Sequence, residues 1–142
     1  SRGRSALVFR ANDGLDELST TGNSQIWQVS GGEVTQFELN PMKLGLAKAS
    51  TSALLGGDAA FNAQVARDLF AGKTVGNLAA VRDIVILNAA GGVLSYQMAK
   101  DPTHADVNLD LRFADAIHLV ASALDSGAGE TKLNEWVAAT AN

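Results

Sequence analysis

The apolar residues of this chain change their period once, and that change restricts the fold more than any other feature. Up to Leu39 the apolar stretches are short and bounded by glycine and asparagine; from Asp58 onward apolar residues recur every third or fourth position. The first pattern is that of β-strands and the second that of amphipathic helices. Ala6 to Phe9 reads as a core strand ending at the turn Asn12-Asp13-Gly14. Ser24 to Ser30 and Glu33 to Leu39 flank Gly31-Gly32, a spacing that predicts a hairpin with a tight primed turn. Thr35, Phe37 and Leu39 alternate with Val34, Gln36 and Glu38, so one face is expected to be buried and the other wet. Trp27 and Phe37 read as packing residues.

Pro41 begins a short helical turn through Leu46, and Lys48 to Gly57 is a polar connection. Asp58 is a good N-cap for a helix with Phe61, Val65 and Leu69 on one stripe, closed by Gly72. A longer helix is expected from about Leu78 to Ala99. The small residues Ala89, Ala90, Gly91 and Gly92 at its centre would let a helix or a sheet approach closely. Asp101-Pro102 breaks the pattern. A third helix, roughly Val107 to Ser126, carries Leu109, Phe113, Ile117, Val120 and Leu124 on one side; a last one carries Leu133, Trp136 and Val137, and all are expected to face the core. The sum is an α/β fold, strands with a hairpin followed by packed helices.

With 142 residues, 46% of them apolar, the chain can bury one core, as a single domain or a piece of one. The start at Ser1, with an apolar run by Ala6, suggests an origin inside a larger domain. A net charge of -4 with 11 basic residues gives no electrostatic footprint for nucleic acid; Arg2, Arg4 and Arg10 form the only local basic cluster. Without cysteine there is no disulfide framework and no thiolate nucleophile, and a cytoplasmic setting is expected. The apolar run Ile84 to Leu94 is too short to cross a bilayer, so no membrane partner is expected.

The chemistry-bearing segment is Gly14-Leu15-Asp16-Glu17-Leu18-Ser19-Thr20-Thr21-Gly22, where two adjacent carboxylates lie between glycines and a hydroxyl cluster. Oxygen ligands with open coordination positions suit Mg²⁺, which keeps waters and is shared with substrate phosphates. Neighbouring side chains of an extended segment point to opposite faces. One ion held by both Asp16 and Glu17 therefore needs a bend, which Gly14 and Gly22 would allow; two ions are the alternative. For an Asp-Glu pair taken alone, an acidic turn that caps a helix or faces solvent is the favoured reading. The loop's place after a strand's carboxyl end, where open α/β sheets bind ligands, weighs toward function.

Other motifs weigh less. Gly56-Gly57-Asp58 looks like a phosphate-cradling loop, but an aspartate cap would repel an anion. Asn88 in an apolar helix needs partners, and a structural hydrogen bond to a neighbouring loop fits better than catalysis. His104 and His118 pair with no carboxylate or serine at a spacing that suggests a relay. Ser19, Thr20 and Thr21 could meet phosphate oxygens or serve as turn residues.

Taken in order, the segment from Gly14 to Gly22 after its strand, Gly56-Gly57-Asp58 with Asn62, the run Arg82 to Ala90, and Asp125-Ser126-Gly127-Ala128 resemble the carboxy-terminal part of anthranilate phosphoribosyltransferase. The resemblance implies an incomplete part of a larger α/β domain of nucleoside phosphorylase/phosphoribosyltransferase type. It also implies a Mg²⁺-dependent homodimer that joins anthranilate to phosphoribosyl pyrophosphate in tryptophan biosynthesis. By it, Asp16 and Glu17 match the family's Mg²⁺-binding pair.

Several family marks have no counterpart here: the Gly-Thr-Gly-Gly-Asp phosphate loop, the Lys-His-Gly-Asn segment and the anthranilate-contacting arginine. In the family these lie upstream, so the chain resembles roughly the final two-fifths of an enzyme and is expected to be inactive by itself. Arg10-Ala11 stands where relatives commonly have His-Gly. A portion of a pyrimidine nucleoside phosphorylase and a non-catalytic interaction module are the alternatives.

Overall fold

A computed structural model describes residues 5–141; Arg2 and Arg4 of the basic cluster lie outside the described residues. Three strands, β1 (Ala6–Ala11), β2 (Ser24–Ser30) and β3 (Glu33–Leu39), form an antiparallel sheet in the order β1-β2-β3. Four helices follow: α1 (Ala59–Phe70), α2 (Leu78–Lys100), α3 (Leu109–Asp125) and α4 (Ala128–Thr140). The hairpin is the one the glycine pair predicts. Gly31 and Gly32 both adopt positive φ (59° and 87°), which only the primed turn requires, and Ser30 pairs with Glu33 across it. Short 3-10 turns occupy Pro41–Leu44, where Asn40 caps and Gly45 closes at φ 83°, and Thr51–Leu54 in the polar connection.

The core lies between one sheet face and the helices α2 and α3. Ile26 and Leu39 from the sheet meet Ile86, Leu87, Ala90 and Leu94 of α2 and Phe113, Ala116 and Ile117 of α3, all buried. Each fully buried leucine or phenylalanine contributes about 1.5–3 kcal/mol. Of the small residues at the centre of α2, Gly91 gives the sheet its close approach. A Cβ there would stand 2.8 Å from Phe9 Cζ and 3.5 Å from Leu18 Cδ1, whereas Gly92 faces open space.

Several expectations are corrected by tertiary placement. β1 is not buried on both sides: Leu7 and Phe9 pack against the core, but Val8 is 53% exposed, because pairing with β2 is antiparallel and the outer face is uncovered among the described residues. Trp27 shares that outer face, half-buried, beside Arg10 and Gln25. On α1 only Leu69 is buried; Phe61, at the start of the stripe, is exposed and leans on Gly57. α4 touches α1 and α3 along one edge, with Gly129 set against Phe70, and leaves Trp136 and Val137 exposed. The run Ile84 to Leu94 belongs to a 23-residue helix, long and apolar enough by composition to span a bilayer; here one of its faces is the centre of the core.

A buried cation ties the sheet to the helices. Arg112 of α3, 5% exposed, donates to Gln28 Oε1 at 2.7 Å, and Gln28 in turn donates to the Ala105 carbonyl at 3.1 Å. Burial lowers the guanidinium below its usual pKa, with Asp106 opposing the shift.

Candidate metal centre

The acidic loop is built from its base upward. β1 pairs with β2 as far as Ala11 and Ser24, and Asn12 N–H continues the closure by donating to the Asn23 carbonyl at 3.0 Å. Ala11 N–H donates to the Leu15 carbonyl at 2.9 Å and Gly14 N–H to the Ala11 carbonyl at 3.1 Å, so the chain reverses within five residues. Gly14 makes the reversal possible with φ 103°; Gly22 does not adopt positive φ and is not needed for the bend.

Asp13 holds the two limbs together. Its Oδ1 accepts from Leu15 N–H at 3.1 Å, and its Oδ2 accepts from the Ser19 hydroxyl at 2.7 Å and from the Thr21 hydroxyl. The Ser19 and Thr21 hydroxyl bonds, foremost, hold the Asp13 carboxyl below the usual carboxylate range, and the Leu15 amide adds to them. Ser19 and Thr21 thus direct their hydroxyls to Asp13 within the turn. Thr20 is fully buried and its carbonyl accepts from Ala49 N–H at 3.0 Å. In the sequence, Asn12-Asp13-Gly14 reads as turn chemistry alone. The partners of Asp13 lie six and eight residues away, beyond a local turn, and hydroxyls at alternate positions 19 and 21 were the available signal.

The far limb is fixed by α2. Asn88 Oδ1 accepts from Leu18 N–H at 3.0 Å, and Asn88 Nδ2 donates to the Leu18 carbonyl at 2.8 Å and to the Ile84 carbonyl at 3.0 Å. The structural hydrogen bond expected of Asn88 is therefore present, and it goes to the acidic loop itself.

Asp16 and Glu17 lie in the bend between these fixed points, both exposed. Neither forms an ion pair among the described residues, where the pairs are Lys73 with Asp68, Arg82 with Asp125, and Lys132 with Glu135. Neither caps a helix: the side-chain caps among the described residues are Asn40, Ser50, Asp58, Asp101 and Asn108. Two hard oxygen donors with solvent on their open sides fit a cation that keeps waters and shares its sphere with phosphate. No cluster of three or more His, Cys, Asp or Glu side chains placed to hold a metal ion is present among the described residues. Ligand binding at strand ends is a property of parallel open sheets; the three strands here are antiparallel, so the loop gains no support from its place after β1 within the described residues.

The remaining motifs resolve as structure. Asn62 clasps Gly57, accepting its N–H and donating to its carbonyl at 2.9 Å each, while Asp58 caps Phe61 N–H at 2.8 Å. The Gly57 amide is therefore spent on Asn62, and Asp58 serves as the cap of α1. Asp125 takes both of its short contacts, 2.8 and 3.0 Å, from Arg82 across α2 and α3.

The family model described as "Glycosyl transferase family, a/b domain" matches residues 2–130. Anthranilate phosphoribosyltransferase of Leifsonia xyli subsp. xyli is 51% identical over 140 residues, which cover 99% of this chain and 39% of that protein. Among solved structures, anthranilate phosphoribosyltransferase from Thermus thermophilus superposes with a TM-score of 0.70 at 31% identity, over 94% of this chain and 35% of that one. The Saccharomyces cerevisiae enzyme in complex with PRPP and Mg shares the fold, with a TM-score of 0.73 at 18% identity, over 92% of this chain and 33% of that one. The chain thus spans about two-fifths of the length of its relatives. With its sheet, its helices and nearly all of its length matched, the chain belongs to the glycosyl transferase family, as part of the a/b domain.

Proposed function

We propose that this chain is the carboxy-terminal portion of the α/β catalytic domain of an anthranilate phosphoribosyltransferase, in which Asp16 and Glu17 hold Mg²⁺ on the pyrophosphate of phosphoribosyl pyrophosphate. The observation that carries the reading is the state of the pair: two carboxylates, exposed and without ion-pair partners among the described residues, on a loop whose neighbours on both sides are hydrogen-bonded in place. A solvated acidic turn does not require such bracing. The relatives' identity supports the reaction, and the yeast enzyme of the same fold is solved with PRPP and Mg.

When bound, Mg²⁺ supplies positive charge against the negative charge that builds on pyrophosphate as it leaves C1 of the ribose. Asp16 and Glu17 bind and orient; neither attacks the sugar, because the amine of anthranilate is the nucleophile. Holding the two substrates in line provides much of the remaining acceleration. The phosphate loop and the anthranilate-contacting arginine belong to the remainder of the full-length enzyme, which we read as a cytoplasmic homodimer on the strength of the family resemblance.

The test is Asp16→Asn and Glu17→Gln in the full-length protein, assayed over a Mg²⁺ titration. Both variants are expected to lower turnover and to raise the Mg²⁺ concentration needed for half-maximal rate. Wild-type titration curves would refute the metal assignment. Phosphorolysis of pyrimidine nucleosides in place of phosphoribosyl transfer would refute the reaction.

A further inference from the structure

We propose that Asn88 is a positioning residue for the acidic pair: by clasping Leu18 it fixes the direction in which Asp16 and Glu17 project. The inference rests on the metal reading above and goes beyond it. Leu15 is tied on its carbonyl by Ala11 N–H and on its amide by Asp13 Oδ1. Leu18 is tied on both of its backbone polar groups by Asn88. Between these anchors only two residues remain, and they are Asp16 and Glu17. A two-residue span with both ends fixed has few conformations, so the carboxylates inherit their direction from the anchors.

Asparagine suits this task chemically. A carboxamide has an acceptor and two donors in one plane, and Asn88 uses all three: Leu18 N–H, the Leu18 carbonyl and its own helix's Ile84 carbonyl. An aspartate at this place would accept but could not donate, and a hydroxyl could not span both groups. The clasp reaches 70 residues along the chain, from a helix whose other contacts form the core. The Leu18 side chain, fully buried, adds a second hold one turn along at Gly91. A ligand pair mounted on a packed helix in this way is more sharply defined than one carried by a free loop.

A purely structural role would be to satisfy the buried backbone of Leu18, and stability alone does not separate the two roles. The comparison is Asn88→Ala against Met98→Ala in the full-length protein; Met98 is fully buried on the same helix, and its sulfur accepts from Arg112 Nη1 of α3 at 3.5 Å. Asn88→Ala is expected to raise the half-maximal Mg²⁺ concentration on the order of tenfold, as loss of a residue that orients a metal ligand does, and to speed amide exchange in residues 14–22. Met98→Ala is expected to lower the melting temperature and leave both readouts unchanged. Equal effects of the two variants on the Mg²⁺ titration would overturn the proposal while leaving the metal reading intact. Should Asp16→Asn leave the Mg²⁺ requirement untouched, the metal reading fails, and the clasp is decided by exchange alone: faster exchange in Asn88→Ala supports it, exchange equal to Met98→Ala overturns it. If Asn88→Ala does not fold, Asn88→Ser is read in the same way, because its hydroxyl bonds back within its own helix and releases Leu18.

Discussion

Adjacent glycines at the middle of α2 give a matched pair of perturbations, Gly91→Ala and Gly92→Ala. Both replace glycine by alanine in a helix interior, which by itself stabilises by about 1 kcal/mol. At Gly92 the new methyl meets nothing within 4 Å, so that gain is expected in full. At Gly91 it would stand 2.8 Å from Phe9 Cζ and 3.0 Å from Cε2, well inside the 3.5–4.0 Å of a relaxed carbon contact. The Phe9 ring must move by roughly 0.7–1.2 Å, and overpacking of this size costs about 1–3 kcal/mol. The two variants should therefore differ by about 1–3 kcal/mol, with Gly92→Ala the more stable. Urea denaturation of this chain followed by circular dichroism reads the gap directly, roughly 0.5–1.5 M in midpoint at a slope of about 2 kcal/mol per molar. Phe9 lies on the strand that enters the acidic loop, so Gly91→Ala should also speed amide exchange in residues 14–22. Coincident midpoints, or a Gly91→Ala midpoint above that of Gly92→Ala, would refute the account of sheet and helix in direct contact.

Asp13 has a carboxyl held below the ordinary range by the Ser19 and Thr21 hydroxyls, so its stabilisation is present above the ordinary carboxylate pKa and is lost as pH falls through the lowered folded value. The carboxylate is exposed, solvent screens it, and the effect on global stability should stay under about 1 kcal/mol. Exchange in the loop should accelerate at acid pH, and Asp13→Ala should make exchange fast at every pH; a loop whose exchange, corrected for intrinsic rates, ignores both changes would exclude the bracing role. Arg82 and Asp125 form a two-contact ion pair with Asp125 mostly exposed, so a double-mutant cycle should return about 0.5 kcal/mol that fades in roughly 1 M salt. A coupling above about 2 kcal/mol would mean the pair is buried in solution.

How much of the site was legible follows from the distance over which its contacts act. Asp16 and Glu17 announce themselves by type and adjacency, and the need of Asn88 for partners follows from an amide inside an apolar helix. The identity of those partners did not follow, because Leu18 lies 70 residues away and its backbone carries no side-chain signal. Asp13 was hidden by a simpler local explanation: Asn-Asp-Gly is turn chemistry whether or not its carboxylate also grips Ser19 and Thr21.

The sequence by itself determined what depends on neighbours in the chain. The Gly31-Gly32 turn needed two positive φ angles, the cap at Asp58 needed an oxygen one turn from a free amide, and the helices needed a period near 3.6; each is a local requirement that local residues meet. Only the tertiary structure decided which apolar faces are covered. Val8, Phe61, Trp136 and Val137 carry the same apolar signal as Phe9, Leu69 and Phe113, yet the first four are exposed and the others packed. Burial depends on what lies opposite, and an amphipathic stripe says that a partner surface is wanted without saying where it is. The direction of the acidic pair is of the same kind: its two residues are written in the chain, and their aim is set by a helix that meets them only once the chain has folded.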